Sequence, residues 1–283
     1  MRSHIKLEYG VFNAFTHSPI SGNPVAVFYE SEQLSASFMQ SIASQLQLSE
    51  TTFLHTSHDK KNVEVRIFTP VNELPFAGHP LMGTAAAYAR KYNVNDFVFH
   101  TKKGPASVSV KHISDDVSEV EMTVPLATSQ PFSEKDKLLK ALGLEGSELP
   151  IEIYDAGARH VLVSVSDKSV LHQIKPNHTA LEAFENMAIN CFCWDGDSIE
   201  NRMFSPAYGV KEDAGTGSVV WPIAQHLVQY GQFSLNKKLM ILQGTQLSRQ
   251  SEMYGEIKSD QGIGTHAILS GNVYHFSDCQ ARI

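Results

Sequence analysis

The sequence predicts a mixed α/β (α+β) protein made of two similar halves, each a curled sheet around one apolar helix. Three observations carry this. Many short segments alternate apolar and polar residues with period two. Two segments of helical length, 81–89 and 218–228, are apolar on nearly all sides, as expected of helices buried all round. The stretch Arg66-Ile67-Phe68-Thr69-Pro70 returns as Arg202-Met203-Phe204-Ser205-Pro206, an offset of 136 from Arg66 to Arg202 in a chain of 283 residues.

Taken in order, 24–29 is a short apolar run and reads as a buried strand. In 34–48, Phe38, Ile42 and Leu46 recur every four residues among serines and glutamines, the pattern of an amphipathic surface helix. Val63, Val65 and Ile67 alternate with Glu64 and Arg66, and Val108 and Val110 with Ser107, Ser109 and Lys111. Val120, Met122 and Val124 alternate with Glu119, Glu121 and Thr123. Each is a strand buried on one face. Segment 133–142 reads as a second amphipathic helix, capped by Ser133 with Asp136 three residues on and stopped by Gly143. Pro222 is compatible with the 218–228 helix only in its first turn. A polar stretch flanked by prolines, 125–131, marks the seam. The expected halves are 1–127, which the last C-terminal strand can rejoin, and 128–283.

Composition narrows the functional classes. Hydrophobic residues at 42% and charged residues at 19% exclude disorder, collagen and coiled coil. Acidic residues outnumber basic ones 30 to 23, so a nucleic-acid partner is not expected. No apolar run reaches the roughly 18 residues of a membrane span. Residues 1–9, with Arg2, Lys6 and Glu8, lack an apolar signal region, so no membrane partner and a cytoplasmic location are expected. Cys191 and Cys193 share a face of an apolar strand and read as small core residues; with Cys279 they make no disulfide framework and no zinc spacing.

The repeat points to chemistry. Each copy is followed by a loop with an acidic residue, an Ala-Gly pair and a buried helix: 73–80 in one half, 212–218 in the other. A helix start leaves N–H groups unpaired and carries partial positive charge, so it attracts a carboxylate. The first loop offers Gly78, His79 and Pro80; the second offers Asp213, Gly215, Thr216, Gly217 and Ser218. Two such ends at a cleft between the halves would clamp a small carboxylate and stabilise enolate-like charge. The plainer alternative makes Asp213, Thr216 and Ser218 ordinary caps. Glu50, between the amphipathic helix and the strand start at Phe53-Leu54, is the third candidate. A carboxyl shielded there could exchange protons near neutral pH, whereas a solvated loop glutamate could not. No Gly-x-Gly-x-x-Gly fingerprint, phosphate-binding Gly-Lys-Ser/Thr loop, Gly-x-Ser-x-Gly elbow or His-Glu-x-x-His helix occurs.

Five motifs in order, Gly22-Asn23-Pro24-Val25-Ala26-Val27-Phe28, Ser49-Glu50-Thr51, 66–70, Phe76-Ala77-Gly78-His79 and Glu212-Asp213-x-x-Thr216-Gly217-Ser218, give the chain a likeness. It resembles the PhzF family of phenazine-biosynthesis-like isomerases. A weaker tail match runs from Gln243-Gly244 through Ser248-Arg249-Gln250-Ser251. The resemblance implies a diaminopimelate epimerase-like fold, two pseudo-symmetric domains with the site between them. It also implies an isomerase that needs neither metal nor pyridoxal phosphate, and a homodimer. The type member isomerises trans-2,3-dihydro-3-hydroxyanthranilate, with a glutamate moving a proton between ring carbons. Carried over, Glu50 is the proton shuttle, and His79 and Asp213 hold substrate or assist protonation. Gly78, Gly217 and Ser218 bind the substrate carboxylate, with Thr216 and Asn23 also substrate-binding.

The chain departs from the family pattern in places. Pro80-Leu81 stands where Ala-Thr is usual, Ala214-Gly215 where Pro-Val is usual, and Ser248 and Gln250 where glycine and proline are expected. Pro80 suits the first helical position but removes one anion donor. Relatives in the wider superfamily use two opposed cysteines, and neither loop here holds one. The alternatives are a two-base racemase or epimerase using Glu50 and Asp213, and a non-catalytic small-molecule binding or scaffold protein of the same fold.

Overall fold

The computed structural model describes residues 6–56, 59–196 and 198–282; the expectation for 1–9 therefore falls partly, with Arg2, outside the described residues. The chain forms two compact units, Met1–Thr123 with Ser270–Ile283, and Val124–Leu269.

The first unit contains β1 (Lys6–Ala14), β2 (Asn23–Phe28), α1 (Ala36–Leu46), β3 (Glu50–Thr56), β4 (Asn62–Phe68) and the short β5 (Glu73–Leu74). It continues with α2 (Gly78–Tyr92), β6 (Asp96–Thr101), β7 (Gly104–His112) and β8 (Val117–Val124). Helix α1 is capped by Ser35, whose side chain accepts from the Phe38 N–H, and it ends at Gln47 in the left-handed region. Its buried face, Met39, Ile42 and Ala43, packs on Phe28, Phe53 and Phe68 on one side of the sheet. Helix α2 is buried from Gly78 to Ala89. It approaches the sheet so closely that a Cβ on Gly83 would lie 2.2 Å from Val25 Cγ1. Only glycine allows that approach.

The second unit contains β9 (Thr128–Pro131), α3 (Lys135–Leu142), β10 (Glu152–Asp155), β11 (Arg159–Ser164), α4 (Lys168–Gln173), α5 (His178–Leu181), β12 (Ala188–Asp195), β13 (Ser198–Ser205) and β14 (Val210–Asp213). Then follow α6 (Val220–Gln229), β15 (Leu239–Gln243) and β16 (Ser251–Asp260). Leu138, Leu171, Leu181, Val161, Val163, Cys191, Cys193 and Phe204 form one apolar layer. Cys191 and Cys193 are core residues there, and burial pushes their thiols up to about 12 and about 11. On the other face Phe192 meets His226 of α6, whose side Val220–Ala224 is buried throughout.

The last strand, β17 (Ile263–Arg282), carries the chain from the second unit back to the first, where Val273 to Arg282 pairs antiparallel with β1.

The repeat is one of topology as well as sequence. In the first unit β1–β2 is antiparallel, β2–β3 parallel, β3–β4 antiparallel, β4–β6 parallel and β6–β7 antiparallel. In the second the same order runs β10–β11, β11–β12, β12–β13, β13–β15 and β15–β16. The short β5 and β14 each fold back on the strand before them. These two segments differ from the loops expected over 73–80 and 212–218: part of each is strand. Helix α2 also begins at Gly78 rather than 81, which puts Pro80 third in the helix. Its missing N–H still costs nothing, because the first four N–H groups lack intrahelical partners. Pro222 is likewise third in α6. Ser133 does not cap α3; Glu134 holds the cap position without a side-chain bond, and Gly143 ends the helix in the left-handed region.

Candidate active site

In the first unit, strand pairing sets Glu50 opposite Val25, at the very start of β3. It is therefore a strand residue, not a loop glutamate. Its side chain is 16% exposed, and Oε2 lies 3.1 Å from Nδ1 of His79, which is 4% exposed. His79 is the second residue of α2, so helix start and strand start bring the pair together. The other ring nitrogen, Nε2, lies 3.4 Å from the Pro24 carbonyl oxygen. Both neighbours of the imidazole are acceptors, so a neutral ring, with one hydrogen, can serve only one of them and a protonated ring can serve both.

Beneath the pair, Thr84 Oγ1 donates to the Pro80 carbonyl at 2.6 Å. Its one hydrogen is thus committed, and Thr52 Oγ1, 2.8 Å away, donates to it. Thr52 is two residues beyond Glu50 on the same strand face, so this bond pins β3 to the second turn of α2. The residue before the helix, Ala77, is extended and offers no side-chain cap. Gly78, the first helical residue, is buried, and Asn23 is buried at the start of β2, beside β3.

In the second unit, Asp213 ends β14 and is buried. Its Oδ2 accepts from Thr216 Oγ1 at 2.6 Å. Gln243 Nε2 donates to the Asp213 carbonyl at 3.0 Å and to Thr216 Oγ1 at 2.9 Å. Gly244, at φ 81°, lets the loop press in: a Cβ there would lie 2.5 Å from the Ala214 carbonyl oxygen. Gly217 and Ser218 are buried in the 3₁₀ turn Gly217–Val219 that leads into α6. Thr216 does not cap the turn that follows it. Neither Thr216, before that turn, nor Val219, before α6, makes a side-chain cap bond, and the Thr216 hydroxyl is spent on Asp213.

The repeated arginines explain why 66–70 and 202–206 are alike. Arg66 Nε and Nη2 donate to the two carboxylate oxygens of Glu73 at 2.9 and 2.8 Å. Arg202 does the same to Glu212 at 2.8 and 2.9 Å. Each fork ties the segment before its helix to the strand carrying the arginine. Arg202 adds bonds to the Leu171 and Ile174 carbonyls. Arg66 holds the Glu73 carboxyl below its usual range.

The sequence reading did not assign His160, Asn190 and Asn201. Each is fully buried, on β11, β12 and β13 respectively. A buried polar side chain in an apolar strand needs a partner, and Asn190 between Ile189 and Cys191 was the available signal.

The two halves are not chemically equal. Thr52 opposes Ile67, and Asn190 opposes Met203, the repeat partner of Ile67. Thr52 and Asn190 thus correspond, and Ala188 stands where the first half has Glu50.

The repeated curled sheet around one buried helix is the diaminopimelate epimerase-like fold. A solved PhzF-family phenazine biosynthesis protein from Bacillus anthracis superposes with a TM-score of 0.85 at 22% identity, over 99% of this chain and 100% of that one. Residues 12–274 match the PhzC-PhzF family, described as phenazine biosynthesis-like protein. The chain belongs to that family. It is similar to a protein named trans-2,3-dihydro-3-hydroxyanthranilate isomerase from Pseudomonas chlororaphis, with 42% identity over 93% of this chain and 95% of the relative. A protein of the same name from Pseudomonas aeruginosa is 41% identical over 97% of this chain and 99% of its own length. Among the described residues no helix is long and apolar enough to cross a membrane.

Proposed function

We propose that the chain is a PhzF-type isomerase that relocates a proton on a small amino- or hydroxy-substituted cyclic carboxylate of the trans-2,3-dihydro-3-hydroxyanthranilate kind. The single observation that carries the reading is the Glu50–His79 contact of 3.1 Å at the start of a buried helix, in a chain 42% identical to an isomerase of that name. Glu50 takes the proton: a substrate C–H bond breaks, an O–H bond forms on the carboxyl, and the electron pair stays on the substrate. The same O–H then breaks as the proton returns to a different carbon. His79, 3.1 Å away, keeps the Glu50 carboxyl in place between the two steps. Gly78, Gly217 and Ser218 bind the substrate carboxylate, and Asp213, Thr216 and Asn23 hold its polar substituents. Ala188 stands where a second Glu50 would be, so a two-base inversion would have to draw its second base from Asp213. A homodimer that binds neither nucleic acid nor membrane belongs to the same proposal, on the family resemblance.

Glu50→Gln keeps the shape and the Val25 pairing but cannot accept the proton. The variant should fold and bind substrate while isomerisation, and deuterium uptake from D₂O into substrate, fall by about 10²–10⁴-fold. Undiminished uptake in that variant would remove Glu50 from the mechanism.

A further inference from the structure

In the second unit, four neighbouring strands each contribute one polar side chain to a continuous chain of hydrogen bonds: His160 on β11, Asn190 on β12, Asn201 on β13 and Gln243 on β15. It begins at Asp213 and Thr216 and ends at Ser218. All of these are at most 7% exposed.

Two backbone carbonyls, which can only accept, fix the direction of every bond. Asn190 Nδ2 lies 3.2 Å from the Ala188 carbonyl, so that atom is the nitrogen and not the oxygen of the amide. Its second hydrogen then goes to His160 Nδ1 at 3.2 Å. Gln243 Nε2 lies 3.0 Å from the Asp213 carbonyl, so its Oε1 must be the atom facing Asn201. Asn201 Nδ2 gives one hydrogen to Gln243 Oε1 at 2.8 Å and one to Asn190 Oδ1 at 3.3 Å. With Nδ1 of His160 accepting, its only hydrogen sits on Nε2, 3.0 Å from Ser218 Oγ. Ser218 therefore accepts from His160. Its own hydroxyl hydrogen is not needed for any of these bonds.

We propose that His160 is a positioning residue that holds Ser218 as an outward hydroxyl donor to the substrate carboxylate. This rests on the reading of Ser218 as a carboxylate-binding residue. The imidazole suits the task because it is wholly buried and stays neutral; burial holds it down to about 3. A charged ring would have to donate from Nδ1 as well, and would meet the Asn190 amide hydrogens there. The asymmetry of the repeat fits the assignment. His160 opposes Ala188 as Val25 opposes Glu50, so the second half carries a fixed donor where the first carries apolar packing beneath its base.

The test uses the whole protein with trans-2,3-dihydro-3-hydroxyanthranilate. Ser218→Ala should raise KM about tenfold with a much smaller change in kcat. His160→Leu should give the same split, and the double variant should be no worse than Ser218→Ala. His160→Gln, whose amide can reach Ser218 in place of the Nε2–H, should restore KM to within about threefold of the parent. If Ser218→Ala leaves KM unchanged, the carboxylate-binding reading falls. If Ser218→Ala raises KM but His160→Leu does not, only the role of His160 falls. A long-range ¹H–¹⁵N spectrum of the unaltered protein judges the inference independently of turnover and of variant folding. It should show His160 protonated at Nε2 alone from pH 5 to pH 8; protonation at Nδ1 overturns the proposal.

Discussion

Acidification from pH 7 to pH 5 should destabilise the second unit through His160. An unfolded histidine titrates near about 6.5, whereas burial in the native network holds this one down to about 3. Between those limits the unfolded chain binds a proton that the folded chain refuses. Stability is therefore fully present above about pH 6.5 and is lost as the pH falls toward about 3. One proton across one pH unit is worth about 1.4 kcal/mol, so His160 alone removes about 2 kcal/mol by pH 5. His226 acts with the same sign, since burial lowers it against the opposing pull of Glu152. The Glu73 carboxyl, which Arg66 holds below its usual range, gives up its contribution only below about pH 4.3, outside the window. Both tryptophans, Trp194 and Trp221, lie in the second unit, so their fluorescence during urea unfolding reports that unit. Wild type should lose at least about 2 kcal/mol between pH 7 and 5, and His160→Gln should show that loss reduced by about the same amount. Parallel pH dependence in the two proteins would refute the reasoning.

Two further outcomes follow from the packing. Arg202→Lys breaks a buried fork to Glu212 and strands two carbonyls, and should cost about 3 kcal/mol in urea unfolding. Arg66→Lys, where Glu73 keeps its contact with Lys102 at 2.6 Å, should cost about 1 kcal/mol; equal effects would contradict the burial difference. Gly83→Ala should lower the melting temperature, because overpacking against Val25 costs about 1–3 kcal/mol and exceeds the helix-propensity gain of about 1 kcal/mol. Val25→Ala on top of it should recover most of the loss. If Gly83→Ala is as stable as the parent, α2 does not lie so near β2.

Local pattern made the strands around Val63, Val108 and Val120 and the buried helices α2 and α6 legible, because periodicity directly records which faces are covered. The repeat was legible because its Arg-x-Phe core is itself structural: the arginine forks to an acidic residue 7 or 10 positions on. What stayed hidden was non-local. Nothing near Glu50 in the chain says that His79 will be 3.1 Å away, since the rest of β3, the antiparallel β4 and the short β5 intervene. The Asp213-to-Ser218 network is drawn from four strands and is invisible to any window of adjacent residues. Ser133 was a plausible cap, yet the helix starts two residues later; helix ends are set by tertiary packing more than by the capping residue.

The return of β17 to pair with β1 has a consequence for synthesis. Every residue of the second unit leaves the ribosome before the residues of β17 that complete the sheet bearing Glu50. The second unit can mature on its own schedule, but the first must wait with β1 exposing an unpaired edge. A late frameshift or clipped C-terminus would thus injure the N-terminal half, with the strand that carries Glu50, first, while the polar network of His160 still formed.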